Sequence, residues 1–182
     1  FRRVLFRSKD VFGGTCLNRG CIPSKMFIYA ADQALAVTEA ARLGVHAHVD
    51  RVDWPAIVER VFGRIDSIAA GGEDYRTNRC PNITVFRGEG RMTGPKVLEV
   101  AGQQITAPHI ILAAGARPHL PEDVAGLERV PFHTSDSVMR LPALPERMII
   151  LGGGYIAAEL GHVFGSFGTK VDYVLRSSRS EE

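Results

Sequence analysis

No apolar run in these 182 residues reaches the roughly 20-residue length of a membrane-spanning helix. Basic residues open the chain, but no apolar core and cleavage site follow them, so no secretory leader is expected. Three cysteines are too few for a disulfide framework. A metal site is not expected either, because Cys80 stands apart from the other two and His46 and His48 complete no ligand set. Neither sign of charge dominates: 22 Lys and Arg face 20 Asp and Glu, for a formal net charge of +2. No basic patch argues for nucleic acid. With 45% hydrophobic and 23% charged residues, the chain has an ordinary globular composition for one or two domains. The cytoplasm is the default compartment, and a disulfide there is catalytic and transient.

The two ends stand out as foreign. Leu5-Phe6-Arg7-Ser8 can be encoded CTC TTC CGA TCT, whose reverse complement reads Arg-Ser-Glu-Glu, and the chain ends Arg179-Ser180-Glu181-Glu182. Residues 1–8 and 179–182 are therefore expected to be translated flanking DNA and are set aside from fold reasoning. This removes three arginines at the start, and one arginine against two glutamates at the end, leaving no net charge.

What is present begins with Gly13-Gly14-Thr15-Cys16-Leu17-Asn18-Arg19-Gly20-Cys21-Ile22-Pro23-Ser24-Lys25. Two cysteines flank four residues. Pro23 close behind Cys21 places that thiol at the start of a helix. Unpaired N–H groups and the positive end of the helix dipole favour a thiolate there. Gly13, Gly14 and Gly20 let backbone turn sharply and approach a large ligand. On the residues alone, a redox pair, two buried thiols or half of a zinc site all fit this spacing.

Residues 24–42 are strong helix formers closed by Gly44. Asp53 is an expected N-cap, with Pro55 early in a second helix whose apolar residues run from Ile57 to Ile68 and on past Gly71-Gly72 to Tyr75. Residues 83–86, 97–100 and 109–112 are short β-forming runs. Residues 118–145 are rich in proline and poor in periodicity, as a connection between domains would be. Within it, His133-Thr134-Ser135-Asp136 invites a hydrolase reading, but adjacent residues rarely form a triad.

Met148-Ile149-Ile150-Leu151 is a buried-strand run, followed by Gly152-Gly153-Gly154-Tyr155-Ile156-Ala157. This is G-x-G-x-x-A between a strand and a helix, the context that the dinucleotide fingerprint requires. Gly152 makes the turn, Gly154 admits the pyrophosphate and Ala157 allows close packing. A helix through Phe167 and a strand over 170–175 complete a βαβ unit. Sites for NAD usually carry an acid at the end of that second strand. Here Leu175 and Arg176 stand there, and an arginine suits a 2′-phosphate, which favours NADPH.

The cysteine stretch resembles the redox-active disulfide signature of the flavin-dependent pyridine nucleotide–disulfide oxidoreductases. Ala113-Ala114-Gly115 resembles the family's second flavin motif, and Gly88-Glu89-Gly90 a segment that meets the adenine ring. The resemblance implies an α/β fold: an incomplete Rossmann-like FAD-binding domain with its connection over 9–140, then the start of a second, NAD(P)-binding one over 141–178. It implies that Gly13, Gly14, Thr15, Lys25, Glu89, Gly90, Ala114 and Gly115 bind FAD. Gly152, Gly154, Tyr155, Ile156, Ala157, Glu159 and Arg176 would bind NADPH. Cys21 becomes the sulfur nearer the flavin and Cys16 the thiol that attacks a small-molecule disulfide. Lys25 pairs with Glu159, and Tyr155 covers the nicotinamide pocket.

A first flavin glycine motif before Ser8, and a C-terminal histidine lent across a homodimer, would lie outside this chain, which is expected to be a fragment that neither folds well nor turns over by itself. Residues 21–27, 61–66, 72–76 and 133–140 resemble the branch that reduces mycothione. Arg19 departs from the valine common between the cysteines. A dihydrolipoamide dehydrogenase, which usually has an acid in place of Leu175, and a mercuric reductase, which needs a further cysteine pair, are rivals within the family. A non-enzymatic nucleotide- or thiol-binding module is the rival outside it.

Overall fold

The computed structural model describes residues 3–7, 11–121 and 124–176. The chain divides into two compact units, residues 1–18 with 66–117 and residues 19–65 with 118–182. Among the described residues no helix is long and apolar enough to cross a membrane.

In the first unit, strand β1 (Arg3–Arg7) runs parallel to β2 (Ile83–Arg87), Arg3 opposite Ile83 and Arg7 opposite Arg87. Residues set aside in the sequence reading for their coding relation to the C-terminus thus fill a strand position; residues 179–182 lie outside the described residues. A short helix, α1 (Gly14–Arg19), carries Cys16. The strands β3 (Gly90–Gly94), β4 (Val97–Val100) and β5 (Gln103–Thr106) form an antiparallel meander. Ala101 and Gly102 join β4 to β5 with φ of 49° and 73°, the positive pair that a two-residue hairpin of matching twist requires.

Residues 109–112 form no strand, contrary to the sequence expectation. Ile111 is 90% exposed and Leu112 79%, and no strand among the described residues runs alongside them. β-forming side chains do not make a strand without a ladder partner.

The second unit is built on helices. α2 (Cys21–Glu39) begins at Cys21, and Pro23 takes its third position, one residue before Ser24, whose N–H makes the first bond of the helix, to the Gly20 carbonyl. The run continues as a 3₁₀ turn over Ala40–Leu43, closed by left-handed Gly44 at φ 80°. α3 (Trp54–Asp74), whose residues from Asp66 on belong to the first unit, starts behind Asp53, whose Oδ1 accepts the Ala56 N–H at 3.1 Å. It runs through Gly71-Gly72, as the apolar spacing predicts, and widens into a π-turn over Tyr75–Arg79. β6 (Arg147–Leu151) and β7 (Lys170–Val174) are parallel, joined by α4 (Tyr155–Ser166) as a βαβ unit.

One aromatic cluster holds α2, α3 and α4 together. Phe27, fully buried, stacks on Trp54 at a centroid distance of 5.1 Å, and Trp54 meets Phe164 at 5.3 Å and Phe167 at 6.1 Å. The Trp54 indole donates to the Leu141 carbonyl at 2.7 Å, which fastens the proline-rich connection to the same core. Within the second unit α2 packs on α4.

Candidate active site

In the first unit the glycines before Cys16 take the conformations that only glycine holds easily. Gly13 has φ 107° and Gly14 φ 66°, and a side chain on Gly13 would collide with Leu17. Asn18 locks this bend. Its Nδ2 donates to the carbonyls of Phe12 and Gly14, each at 2.9 Å. Its Oδ1 is buried with no protein partner. A buried acceptor left open beside a glycine bend fits a polar ligand that comes close to backbone. Thr15 and Cys16 are exposed on α1. Glu89 is exposed and Gly90 half-buried, at the start of β3, while Ala114 and Gly115 lie in an exposed, non-strand segment, with Gly115 at φ 77°.

The second unit holds the rest. Cys21 is exposed at the first position of α2, and Gly20 before it makes no side-chain cap, so the N–H groups of that first turn are left to other partners. Cys16, Cys21 and Cys80 are unbridged. One turn into α2, the Lys25 ammonium donates to Glu159 Oε1 on α4. This contact holds Glu159 below the ordinary carboxylate value; burial opposes it and the Ser24 hydroxyl adds to it. A second link joins the same helices: His162 Nε2 lies 2.8 Å from Asp32 Oδ1, with Ser166 Oγ 3.5 Å from His162 Nδ1. Sequence reasoning missed this pair, since neither residue belongs to a motif.

The glycine turn has the form that the fingerprint predicts. Gly152 has φ 111°, open space where a side chain would be, and an N–H that donates to the Val174 carbonyl at 2.9 Å. Gly154 caps α4 without a side-chain bond, leaving the first amides of the helix available, the arrangement that holds a pyrophosphate. Tyr155 is 78% exposed and Ile156 43%. Ala157 accepts from the Tyr173 hydroxyl of β7 at 3.3 Å. The tightest helix–strand approach is one turn further on, at Gly161, where an added Cβ would fall on that hydroxyl. Because Gly152 bonds to the end of β7, exposed Arg176, two residues beyond Val174, stands at the glycine-turn end of the strand pair.

The hydrolase reading of residues 133–136 does not stand. His133 Nδ1 shares a hydrogen bond with Ser137 Oγ at 3.1 Å, but the Asp136 carboxylate faces Arg19 at 3.4 Å instead of the histidine. Among the described residues no group of His, Cys, Asp and Glu is arranged to hold a metal.

The Lys25–Glu159 contact predicts a pH signature. Since folding depresses the Glu159 pKa, its contribution is complete above 4.5 and is lost as pH falls through the lowered value. Glu159→Gln should therefore lower the unfolding midpoint at pH 7, and the gap from the parent should close as pH falls below 4.5. A gap independent of pH would show that the carboxylate charge contributes nothing.

Comparison with known proteins agrees with this geometry. The model of the pyridine nucleotide-disulphide oxidoreductase family matches residues 4–181. Mycothione reductase of Mycobacterium tuberculosis is 48% identical over 184 residues, covering 97% of this chain and 39% of its own length. Glutathione reductase of Burkholderia cepacia is 35% identical, over 97% of this chain and 38% of its own. The solved HOCl-induced flavoprotein disulfide reductase RclA from Escherichia coli superposes with a TM-score of 0.83 at 27% identity, over 100% of this chain and 38% of its own. The chain thus spans about two-fifths of the length of these relatives. It belongs to the pyridine nucleotide-disulphide oxidoreductase family.

Proposed function

We propose that this chain carries the dithiol and the first nucleotide-binding turn of an NADPH-dependent flavoprotein disulfide reductase whose substrate is mycothione. One observation carries the reading. The helix that begins at Cys21 holds, through Lys25, the helix opened by the glycine turn at Gly152–Gly154. A thiol poised at one helix start is thereby tied to a phosphate site at another.

Gly13, Gly14, Thr15, Lys25, Glu89, Gly90, Ala114 and Gly115 would hold FAD, and Gly152, Gly154, Tyr155, Ile156, Ala157, Glu159 and Arg176 would hold NADPH. Bound FAD supplies the relay from a two-electron hydride donor to sulfur. The chain's own part is thiol chemistry. With the pair reduced, Cys16 Sγ attacks one sulfur of the substrate, forming a mixed disulfide as the first thiol leaves. Cys21 then attacks Cys16, the second thiol leaves, and the Cys16–Cys21 bond closes. The helix start stabilises the sulfur charge at Cys21 between these steps. A homodimer, with a proton-transferring histidine from the partner subunit, completes the site in this reading. The mycothione assignment is supported by the 48% identity to an enzyme named for that substrate, against 35% for a glutathione reductase.

The flavoprotein that contains this chain should be yellow when purified and should oxidise NADPH faster with mycothione than with glutathione disulfide or lipoamide. A colourless protein would remove the enzyme reading in favour of a binding module. A preference for another disulfide would move the substrate to a different branch of the family.

A further inference from the structure

We propose that Asn18 is an FAD-contact residue, whose side-chain carbonyl accepts a hydrogen bond from a hydroxyl or N–H group of the bound cofactor. The inference rests on the flavin reading above. Asn18 is not among the residues that the family resemblance assigns to FAD.

The Asn18 amide is fixed in orientation. Its Nδ2 donates to the carbonyls of Phe12 and Gly14, each at 2.9 Å, which commits both of its hydrogens. Turned over, the group would set an oxygen against two oxygens. Oδ1 is therefore held at the opposite edge of the amide. It has no hydrogen-bond partner among the described residues, and the residue is only 5% exposed. An unpaired buried acceptor costs free energy, so it marks a place where a bound molecule would supply the donor.

The bend beside it has room for one. At Gly13 an added Cβ would run into Leu17, but at Gly14, with φ 66°, it would meet no atom within 4 Å. Bare backbone is thus open at Gly14, the residue whose carbonyl the Asn18 amide holds. A large ligand can lie against glycine there.

The polarity of the open atom selects which part of FAD it meets. A carbonyl oxygen needs a donor. The phosphate oxygens of FAD are acceptors, whereas its sugar hydroxyls, its ring N–H and its adenine amine donate. The position therefore fits a hydroxyl or N–H and disfavours the pyrophosphate.

The test uses the apo form of the flavoprotein that contains this chain, with Asn18→Leu and Asn18→Asp. FAD is titrated at pH 7 by fluorescence quenching, and thermal unfolding is followed without FAD. Leucine removes the whole amide. Aspartate keeps an acceptor but loses the donors to Phe12 and Gly14. Both variants should unfold at lower temperature, because both lose the lock on the bend. Affinity should separate them. Asn18→Leu should raise the Kd for FAD by about tenfold, the effect of leaving one donor of the ligand unpaired. Asn18→Asp should stay within about threefold of the parent, since a carboxylate also accepts.

A Kd unchanged in Asn18→Leu would mean that water or the protein itself supplies the donor, and overturns the proposal. Equal weakening in both variants would leave Asn18 a structural lock only, and also overturns it. So does greater weakening in Asn18→Asp than in Asn18→Leu, the sign of a facing phosphate. A parent that binds no FAD would instead remove the flavin reading itself. A measurement on the unmutated protein holds even where a variant fails to fold: the ¹³C resonance of the Asn18 side-chain carbonyl should move downfield on adding FAD, and a stationary resonance overturns the contact.

Discussion

Cys16→Ser in the flavoprotein that contains this chain should leave flavin bound and bleached by NADPH, yet reduce disulfide turnover by roughly a thousandfold or more, as loss of a nucleophile does. The reason lies in the division of labour between two helices. Cys21 opens α2 and is exposed at its first position. Cys16 sits within the short α1 and is exposed, which suits attack on an incoming disulfide. Serine keeps the size and exposure but has too high a pKa to attack sulfur at neutral pH. Stopped-flow reduction of flavin, measured beside steady-state disulfide reduction, separates the two half-reactions. Turnover close to that of the parent would show that the pair does not act as a dithiol.

Arg176→Glu should shift the preference for NADPH over NADH by tenfold or more. A bidentate contact from arginine to a phosphate is worth about 1.5–3 kcal/mol, and a carboxylate there would instead accept from a ribose 2′-hydroxyl. The structural ground is the bond from the Gly152 N–H to the Val174 carbonyl, which fixes the end of β7 beside the glycine turn. Arg176 follows two residues later and is exposed. Kinetics with both coenzymes decide the matter, and equal changes in the two would show that Arg176 does not read the 2′ position.

The parts of this fold that were legible in sequence are those specified locally. The strand over Arg147–Leu151, the glycine turn and the helix ending at Ser166 each carry their own pattern, and they form where the pattern places them. The cap at Asp53 and the left-handed stop at Gly44 are equally local. β3 and β5 were missed because Gly90–Gly94 and Gln103–Thr106 contain few β-formers; positive φ at Lys96, Ala101 and Gly102 brings them onto β4 instead. Residues 109–112 failed in the opposite sense, with ample propensity and no ladder.

The site divides in the same way. Cys21 at a helix start follows from Pro23. The Lys25–Glu159 contact spans 134 positions and was reached only through the family resemblance. Asp32–His162 and Arg19–Asp136 had neither motif nor resemblance to announce them, because ion pairs between distant elements leave no periodic trace.

The placement of Trp54 has a practical consequence. It is the chain's single tryptophan, it is 2% exposed, and its ring touches side chains of both α2 and α4 while its nitrogen holds the connecting segment. All indole emission therefore originates at one point, where the helix that begins at Cys21 meets the helix that follows the glycine turn. Any event that loosens that junction moves water toward a ring now shielded from it, and the fluorescence maximum shifts to longer wavelength. The molecule carries its own optical gauge of the packing between these two helices, and needs no added label to report it.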